Sequence, residues 1–300
     1  MDHDLFAEIV RDIKSLGRLR KLGLYGDGEP FLHRGLVRLV ELAMESDVAD
    51  MQVITTNASV MTPEIADRLV RSGWSDLRVS IYSVQQGSFQ RLTGSRMDID
   101  RIYGNVELIR STRDRLGAKT PFLYVKMIDT YGPENDEFKA RFAAVADEVN
   151  IETPMNWNGY QEVDLISRID PGRRTDETAI QGYYAQRGRP NVKEVCTYPF
   201  HSLCVKCNGD VTICIVDWNK GTKVGNLREE TLGEIWNGPA LREFRRMHIE
   251  RRRHQNPSCR NCNFLHTTPE NIDEISPQRL LALIGGRPPR PRRGAVVPTV

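Results

Sequence analysis

The first 195 residues of this 300-residue chain contain no cysteine, and all six cysteines fall between 196 and 262. That absence excludes a disulfide framework, or a thiolate metal site, from the first two thirds of the chain. No apolar run approaches the length of a membrane-spanning helix, so no membrane partner is expected. Charge of one sign is also scarce: 42 basic and 40 acidic residues leave a net +2, with no strong electrostatic commitment to nucleic acid or to a membrane surface. The N-terminus, MDHDLFAEIVRD, is acidic and amphipathic, which is not the pattern of a secretory signal. A cytoplasmic location is expected.

What is present begins with alternation. Phe6, Ile9, Val10 and Ile13 follow helical spacing over 3–16, with Gly17 as the stop. KLGLYG (21–26) reads as a strand, and Leu36, Leu39, Val40 and Ala43 mark a helix. The β-branched run MQVITTN (51–57) is a second strand. TPEIADRLVRSG (62–73) is a helix capped by Thr62, with Pro63 in its first turn. Strands are expected at 76–81, 122–128 and 148–153, and helices from Ile99 to about Gly117 and over 135–147. Such βα alternation predicts parallel strands under a cover of helices, in a closed or partly closed barrel with ligand loops at the strand C-termini. The series opens with a helix where a βα barrel opens with a strand. Residues 155–195 are polar, irregular and linker-like. From 196 the pattern changes: HSLCVKCNGDVTICIVD (201–217) alternates around Asn208-Gly209, a hairpin signal. Thr231–Trp236 and Pro239–His248 look helical, RRMHIERRRHQ (245–255) reads as a solvated helix end, and the Pro/Arg-rich tail 285–300 reads as disordered.

Clustered cysteines in a large chain without an export signal point to metal ligation. Two partitions arise. Cys204-x-x-Cys207 with Cys259-x-x-Cys262 resembles a zinc ribbon, but the gap between the pairs is long, and residues three apart on one strand face opposite sides. Cys196, Cys214, Cys259 and Cys262 instead place one ligand before the hairpin, one on its return strand and two on a late turn. This second set is preferred, with zinc and a cubane iron–sulfur cluster both open as occupants.

The stretch CTYPFHSLCVKCNGDVTICIVDW…VGNLREETLGEIWNGPALREFRR…CRNC resembles the auxiliary-cluster domain of radical S-adenosylmethionine (SAM) enzymes, the SPASM/twitch group. Its four suitable cysteines match the shorter twitch form, which implies one auxiliary [4Fe-4S] cluster on Cys196, Cys214, Cys259 and Cys262. The first half resembles the same family. GDGEP is similar to the family's GGEP motif, which implies that Gly26, Gly28, Glu29 and Pro30 bind the methionyl ammonium of SAM. ITTNASVMT is similar to the strand end that supplies Thr56 and Asn57. DLRVSIYS resembles the strand that reaches the SAM ribose, giving Ser80, with Tyr82 where an Asp is common. Lys126 near the end of the next strand is expected to line the pocket.

The resemblance implies a partial (β/α)6 barrel over 1–154, a linker over 155–195 and a SPASM/twitch domain over 196–266. The family's catalytic cluster is held by CxxxCxxC after the first strand, and this chain has no such motif. A chain lacking its N-terminal strand and cluster loop is therefore expected, inactive alone, with a second [4Fe-4S] cluster only in a fuller form. The family chemistry is reductive cleavage of SAM to a 5′-deoxyadenosyl radical, which abstracts hydrogen from substrate. The implied activity is oxidation of a small molecule, such as a sugar- or cyclitol-like alcohol, or of a peptide, with a flavodoxin or ferredoxin as electron donor. A non-catalytic iron–sulfur protein that binds a peptide or partner enzyme, and a zinc-bound structural protein, are the alternatives.

Overall fold

The structure is a computed structural model that describes residues 1–154, 193–268 and 270–284, with the single position 169. Helix α1 (His3–Leu16) buries Leu5, Phe6, Ile9, Val10 and Ile13, and the Asp2 side chain caps it by accepting from the Leu5 N–H. There follow β1 (Leu19–Gly23), α2 (Leu36–Ser46), β2 (Ala49–Thr56), α3 (Pro63–Arg71), β3 (Asp76–Ile81), α4 (Gln86–Thr93), α5 (Ile99–Arg115), β4 (Phe122–Ile128), α6 (Glu134–Phe142) and β5 (Glu148–Glu152). The five strands form one parallel sheet in the order β1-β2-β3-β4-β5. Each strand lies beside its successor, as in a βα barrel, with no reversal of strand order such as a doubly wound sheet has. One face carries Ile54, Leu77, Val79, Ile81, Leu123, Val125 and Met127, all buried in the core that the helices cover. The opposite face is half-buried and polar. It carries Arg78 and Ser80 from β3 and Tyr124 and Lys126 from β4.

Several elements differ from expectation. The first strand starts at Leu19 and ends at Gly23 rather than spanning 21–26. The Tyr25 ring folds back on Gly23, where a Cβ would lie 2.6 Å from Tyr25 Cε1, so the chain leaves the sheet there. Leu24 makes a last bond to the Val53 carbonyl at 2.9 Å. The helix expected over 135–147 stops at Phe142, because Val145 and Ala146 turn into the core and Asp147 accepts from the Leu123 N–H at 2.7 Å. Helix α4 was not expected.

The C-terminal part comprises α7 (Tyr198–His201), β6 (Cys204–Val205), β7 (Asp210–Thr212), β8 (Lys223–Asn226), α8 (Leu232–Asn237), α9 (Pro239–Ile249), α10 (Pro257–Arg260) and α11 (Pro277–Ile284). Strands β6-β7-β8 form a small antiparallel sheet. Gly209 sits at φ +92 in the turn between β6 and β7, a conformation that favours glycine. Thr231 and Glu234 close a capping box at the start of α8. Most of the expected linker, and the tail 285–300, lie outside the described residues. The linker's described end is anchored: Lys193 and Val195 are buried, and the Glu194 and Val195 N–H groups donate to Asp273.

The small sheet packs on the barrel. Leu232 joins the barrel core, its N–H donates to Asp12 Oδ2 at 2.8 Å, and Arg228 pairs with Asp2 at 2.8 Å. Among the described residues, no helix is long and apolar enough to cross a membrane.

Candidate functional site

The loop Leu24–Pro30 leaves the C-terminal end of β1. Gly28 has φ +88, and a Cβ at Gly26 or Gly28 would meet no atom within 4 Å, so the backbone there is open to an approaching ligand. Pro30 opens a 3-10 turn, Pro30–Leu32, which Glu29 caps. Glu29 Oε1 accepts from the Phe31 N–H at 3.1 Å and from Thr56 Oγ1 at 2.5 Å, and its Oε2 accepts from the Asn57 N–H at 2.7 Å. Thr56 is the last residue of β2, and its hydroxyl also accepts from the Ala58 N–H at 2.9 Å. Three of the expected residues therefore converge, tied by one carboxylate. A carboxylate offers about four acceptor positions, so Oε2 retains room for a further donor.

Ser80 and Lys126 are register partners on the polar face of the sheet, and Lys126 Nζ pairs with Glu152 at 2.7 Å. Tyr82 is exposed at the strand end. Nearby, the Asn150 amide donates to the Tyr124 hydroxyl at 2.6 Å, and Arg78 lies 5.7 Å from the Tyr124 ring centroid. Burial and the adjacent Arg78 guanidinium push the Lys21 ammonium below its usual value. Neither Ser80 nor Lys126 contacts the Glu29 cluster through any hydrogen bond of the described residues.

The second site is a cavity lined by Cys196, Cys214, Cys259 and Cys262, the preferred four. Cys204 and Cys207 do not line it; Cys207 is exposed beyond the end of β6. Burial, with the neighbouring thiols, pushes Cys196 up to about 12 and raises Cys214 and Cys259, and burial raises Cys262 as well. Neutral thiols are thus favoured until a cation arrives, and loading the site must release protons. The donor set fits a cluster. Its four thiols line one buried cavity. Four thiolates are the ligand set of a cubane cluster, and the same set can close a zinc site.

The surrounding residues hold the ligands in place. Asp217, 4% exposed, accepts from the Gly221 and Thr222 N–H groups and from the Thr222 and Ser258 hydroxyls, which fastens the 217–222 loop to the Cys259–Cys262 turn. The Phe264 N–H donates to Cys262 Sγ at 3.3 Å. Arg253 lines the cavity and donates through Nη1 to the Cys259 and Cys262 carbonyls. His248 also lines it, is 1% exposed, and is pushed down to about 4 by burial and the Arg253 charge. These two residues correct the reading of 245–255 as a solvated helix end. The signal was available in the helical spacing of Leu241, Phe244, His248 and Ile249, which places His248 on the apolar stripe of α9.

Residues 1–145 match the radical SAM superfamily, and residues 196–263 match SPASM, an iron–sulfur cluster-binding domain. The chain belongs to the radical SAM superfamily and carries a SPASM-type cluster-binding domain. Among particular relatives, it is 32% identical over 81 residues to the S-adenosyl-L-methionine-dependent 2-deoxy-scyllo-inosamine dehydrogenase of Niallia circulans. That match covers 27% of this chain and 32% of the dehydrogenase, about a third of that relative's length. Two solved structures share the fold. BtrN in complex with AdoMet and 2-DOIA has a TM-score of 0.52 at 17% identity, covering 88% of this chain and 80% of that one. Native anSMEcpe with bound AdoMet and Kp18Cys peptide has a TM-score of 0.55 at 13% identity, covering 88% and 81%.

Proposed function

We propose that the protein is a radical SAM oxidoreductase acting on a small polar molecule, a sugar- or cyclitol-like alcohol, with a peptide as the second substrate class. The observation that carries this reading is the Glu29 carboxylate, held at the strand C-termini by Thr56 and Asn57 with acceptor capacity left over. In this reading Glu29 receives the ammonium of SAM, the open backbone at Gly26 and Gly28 lets the methionyl group approach, and Pro30 sets the turn that aims the carboxylate. Ser80 and Lys126 lie across the polar sheet face, where hydroxyl-bearing substrates find donors and acceptors. Support for the substrate class comes from that face and from the similarity to a cyclitol-amine dehydrogenase; the peptide class is supported by the peptide-bound neighbour.

Cys196, Cys214, Cys259 and Cys262 would hold a [4Fe-4S] cluster. Bound cluster and SAM supply the one-electron and radical chemistry, with electrons from a flavodoxin or ferredoxin; the chain's own part is to bind, orient and shield. Equilibrium dialysis with SAM tests the loop assignment. Glu29→Ala should weaken binding by about tenfold or more, the worth of one hydrogen bond to a charged group. A variant that binds as well as the wild type sinks it. One observation favours a second reading, an iron–sulfur protein that binds a partner without radical chemistry: residues 1–195 contain no cysteine to ligate a cluster beside the Glu29 loop. Incubation of the reduced protein with SAM tests this second reading: residues 1–300 should form no 5′-deoxyadenosine, and its formation would overturn it.

A further inference from the structure

His248 stands out within the thiol cavity. It sits in the last turn of α9, and both ring nitrogens are buried without a hydrogen-bond partner in the structure. A neutral imidazole carries one N–H and one lone pair, and a buried polar group of this kind ordinarily finds a partner. None of the residues that line the cavity hydrogen-bonds either nitrogen. Ile213, Val216 and Leu265 are apolar, and both Asp217 oxygens are engaged by Gly221, Thr222 and Ser258. Phe244 lies against the imidazole, with ring centroids 5.0 Å apart and an interplanar angle of 39°. Arg253 spends Nη1 on the carbonyls of Cys259 and Cys262. The remaining lining groups are Pro199, the stacked rings of Tyr198 and Phe264, 4.9 Å apart, and the four thiols with whatever they hold.

We propose that His248 donates a ring N–H to a sulfur of the iron–sulfur cluster on Cys196, Cys214, Cys259 and Cys262, and thereby raises its reduction potential. Sulfides and thiolates accept hydrogen bonds, and a reduced cluster carries one more negative charge than an oxidised one. A donor aimed at sulfur therefore stabilises the reduced form more than the oxidised form. Fixed at the end of a packed helix, His248 offers its N–H without reorganisation. It is a positioning and tuning residue, not a ligand. The inference rests on the four-cysteine assignment proposed above, and the test separates the failure of each.

The full chain is reconstituted anaerobically with iron and sulfide, as wild type, His248→Phe and His248→Gln. Iron is counted, and each protein is titrated with dithionite in the presence of redox mediators while the reduced cluster is followed by electron paramagnetic resonance. All three should hold about four irons, the content of one cubane. At a fixed potential, His248→Phe should show a reduced-to-oxidised ratio lower by about tenfold, equivalent to about 59 mV for a one-electron couple. His248→Gln keeps an N–H and should lie closer to the wild type. A Phe variant at the wild-type potential, or a Gln variant that falls as far as Phe, overturns the inference while leaving the cysteine assignment intact. Loss of iron from both variants with the wild type loaded also overturns it, since His248 would then be a ligand. Wild-type protein that takes up no iron overturns the assignment and the inference together.

Discussion

Asp217 shows how one side chain can set the shape of a metal site without touching the metal. Its two oxygens receive the N–H groups of Gly221 and Thr222 and the hydroxyls of Thr222 and Ser258, at 2.6 to 3.1 Å. Gly221 approaches so closely that a Cβ there would stand 2.3 Å from Ser258 Oγ. Asp217→Ala would strand these buried donors, each costing about 1–3 kcal/mol when left unpaired. Cluster-free Asp217→Ala protein should therefore unfold at a temperature lower by roughly 5–10 °C in a calorimeter. An unchanged midpoint would mean that the loop is held by something else. Glu29, Thr56 and Asn57 were named through the resemblance of GDGEP and ITTNASVMT to family motifs, and their place at strand ends is where βα folds carry ligand loops. Asp217 and His248 do not lie at strand ends; helical spacing marks His248 as buried, but not what it or Asp217 faces. Their roles depend on burial against α10 and against the cavity, which only tertiary packing decides.

At the scale of elements, the β6–β7 hairpin links the two halves of the chain. Lys220 and Lys223, with the amides of Asn208 and Asn226, hold the Asp210 carboxyl far below its ordinary value of 3.8. A carboxyl depressed on folding contributes stability above its unfolded value and loses that contribution as pH falls below it. The gap in thermal midpoint between wild type and Asp210→Asn should be full at about pH 6 and shrink below about pH 4. A pH-independent gap would contradict this. From the same hairpin, Lys206, with only 8% of its side chain exposed, reaches Asp27 of the Glu29 loop at 3.0 Å. Lys206→Met should leave that loop less restrained, seen as faster amide hydrogen exchange over residues 24–33, with Lys206→Arg restoring it; equal exchange in all three proteins refutes the restraint. The hairpin was legible from Asn208-Gly209, because that dipeptide suits a left-handed turn. Strand β8 was not, since four residues are too few for a period-two pattern. Helix α4 was missed for a similar reason: its two buried apolar residues, Phe89 and Leu92, are too few to mark a stripe.

At the scale of the whole molecule, the arrangement separates two chemistries that share one chain. The consecutive parallel order of β1 to β5 brings the Glu29 loop and the end of β2 to one edge, and four of the six cysteines gather in a cavity of the C-terminal part. Contacts between the two parts run through Asp2, Asp12 and Asp27 on one side and Arg228, Leu232 and Lys206 on the other. No cysteine takes part in these polar contacts, so iron loading and SAM binding should respond to different substitutions. Cys196→Ala or Cys259→Ala should abolish stable cluster loading, because a cubane keeps its full set of thiolate ligands only while all four remain. Cys204→Ala and Cys207→Ala should each retain about four irons, since Cys207 is exposed and neither residue lines the cavity. Glu29→Ala should lose SAM while keeping the same iron content. Iron analysis and absorbance of the anaerobically reconstituted set decide the matter. Loss of iron from Cys204→Ala and Cys207→Ala together, with Cys196→Ala still loaded, would reverse the partition and return the site to the ribbon-like grouping. Loss of iron from Glu29→Ala would show that the two sites are not independent, and that the contacts through Asp27 and Lys206 transmit the state of one to the other.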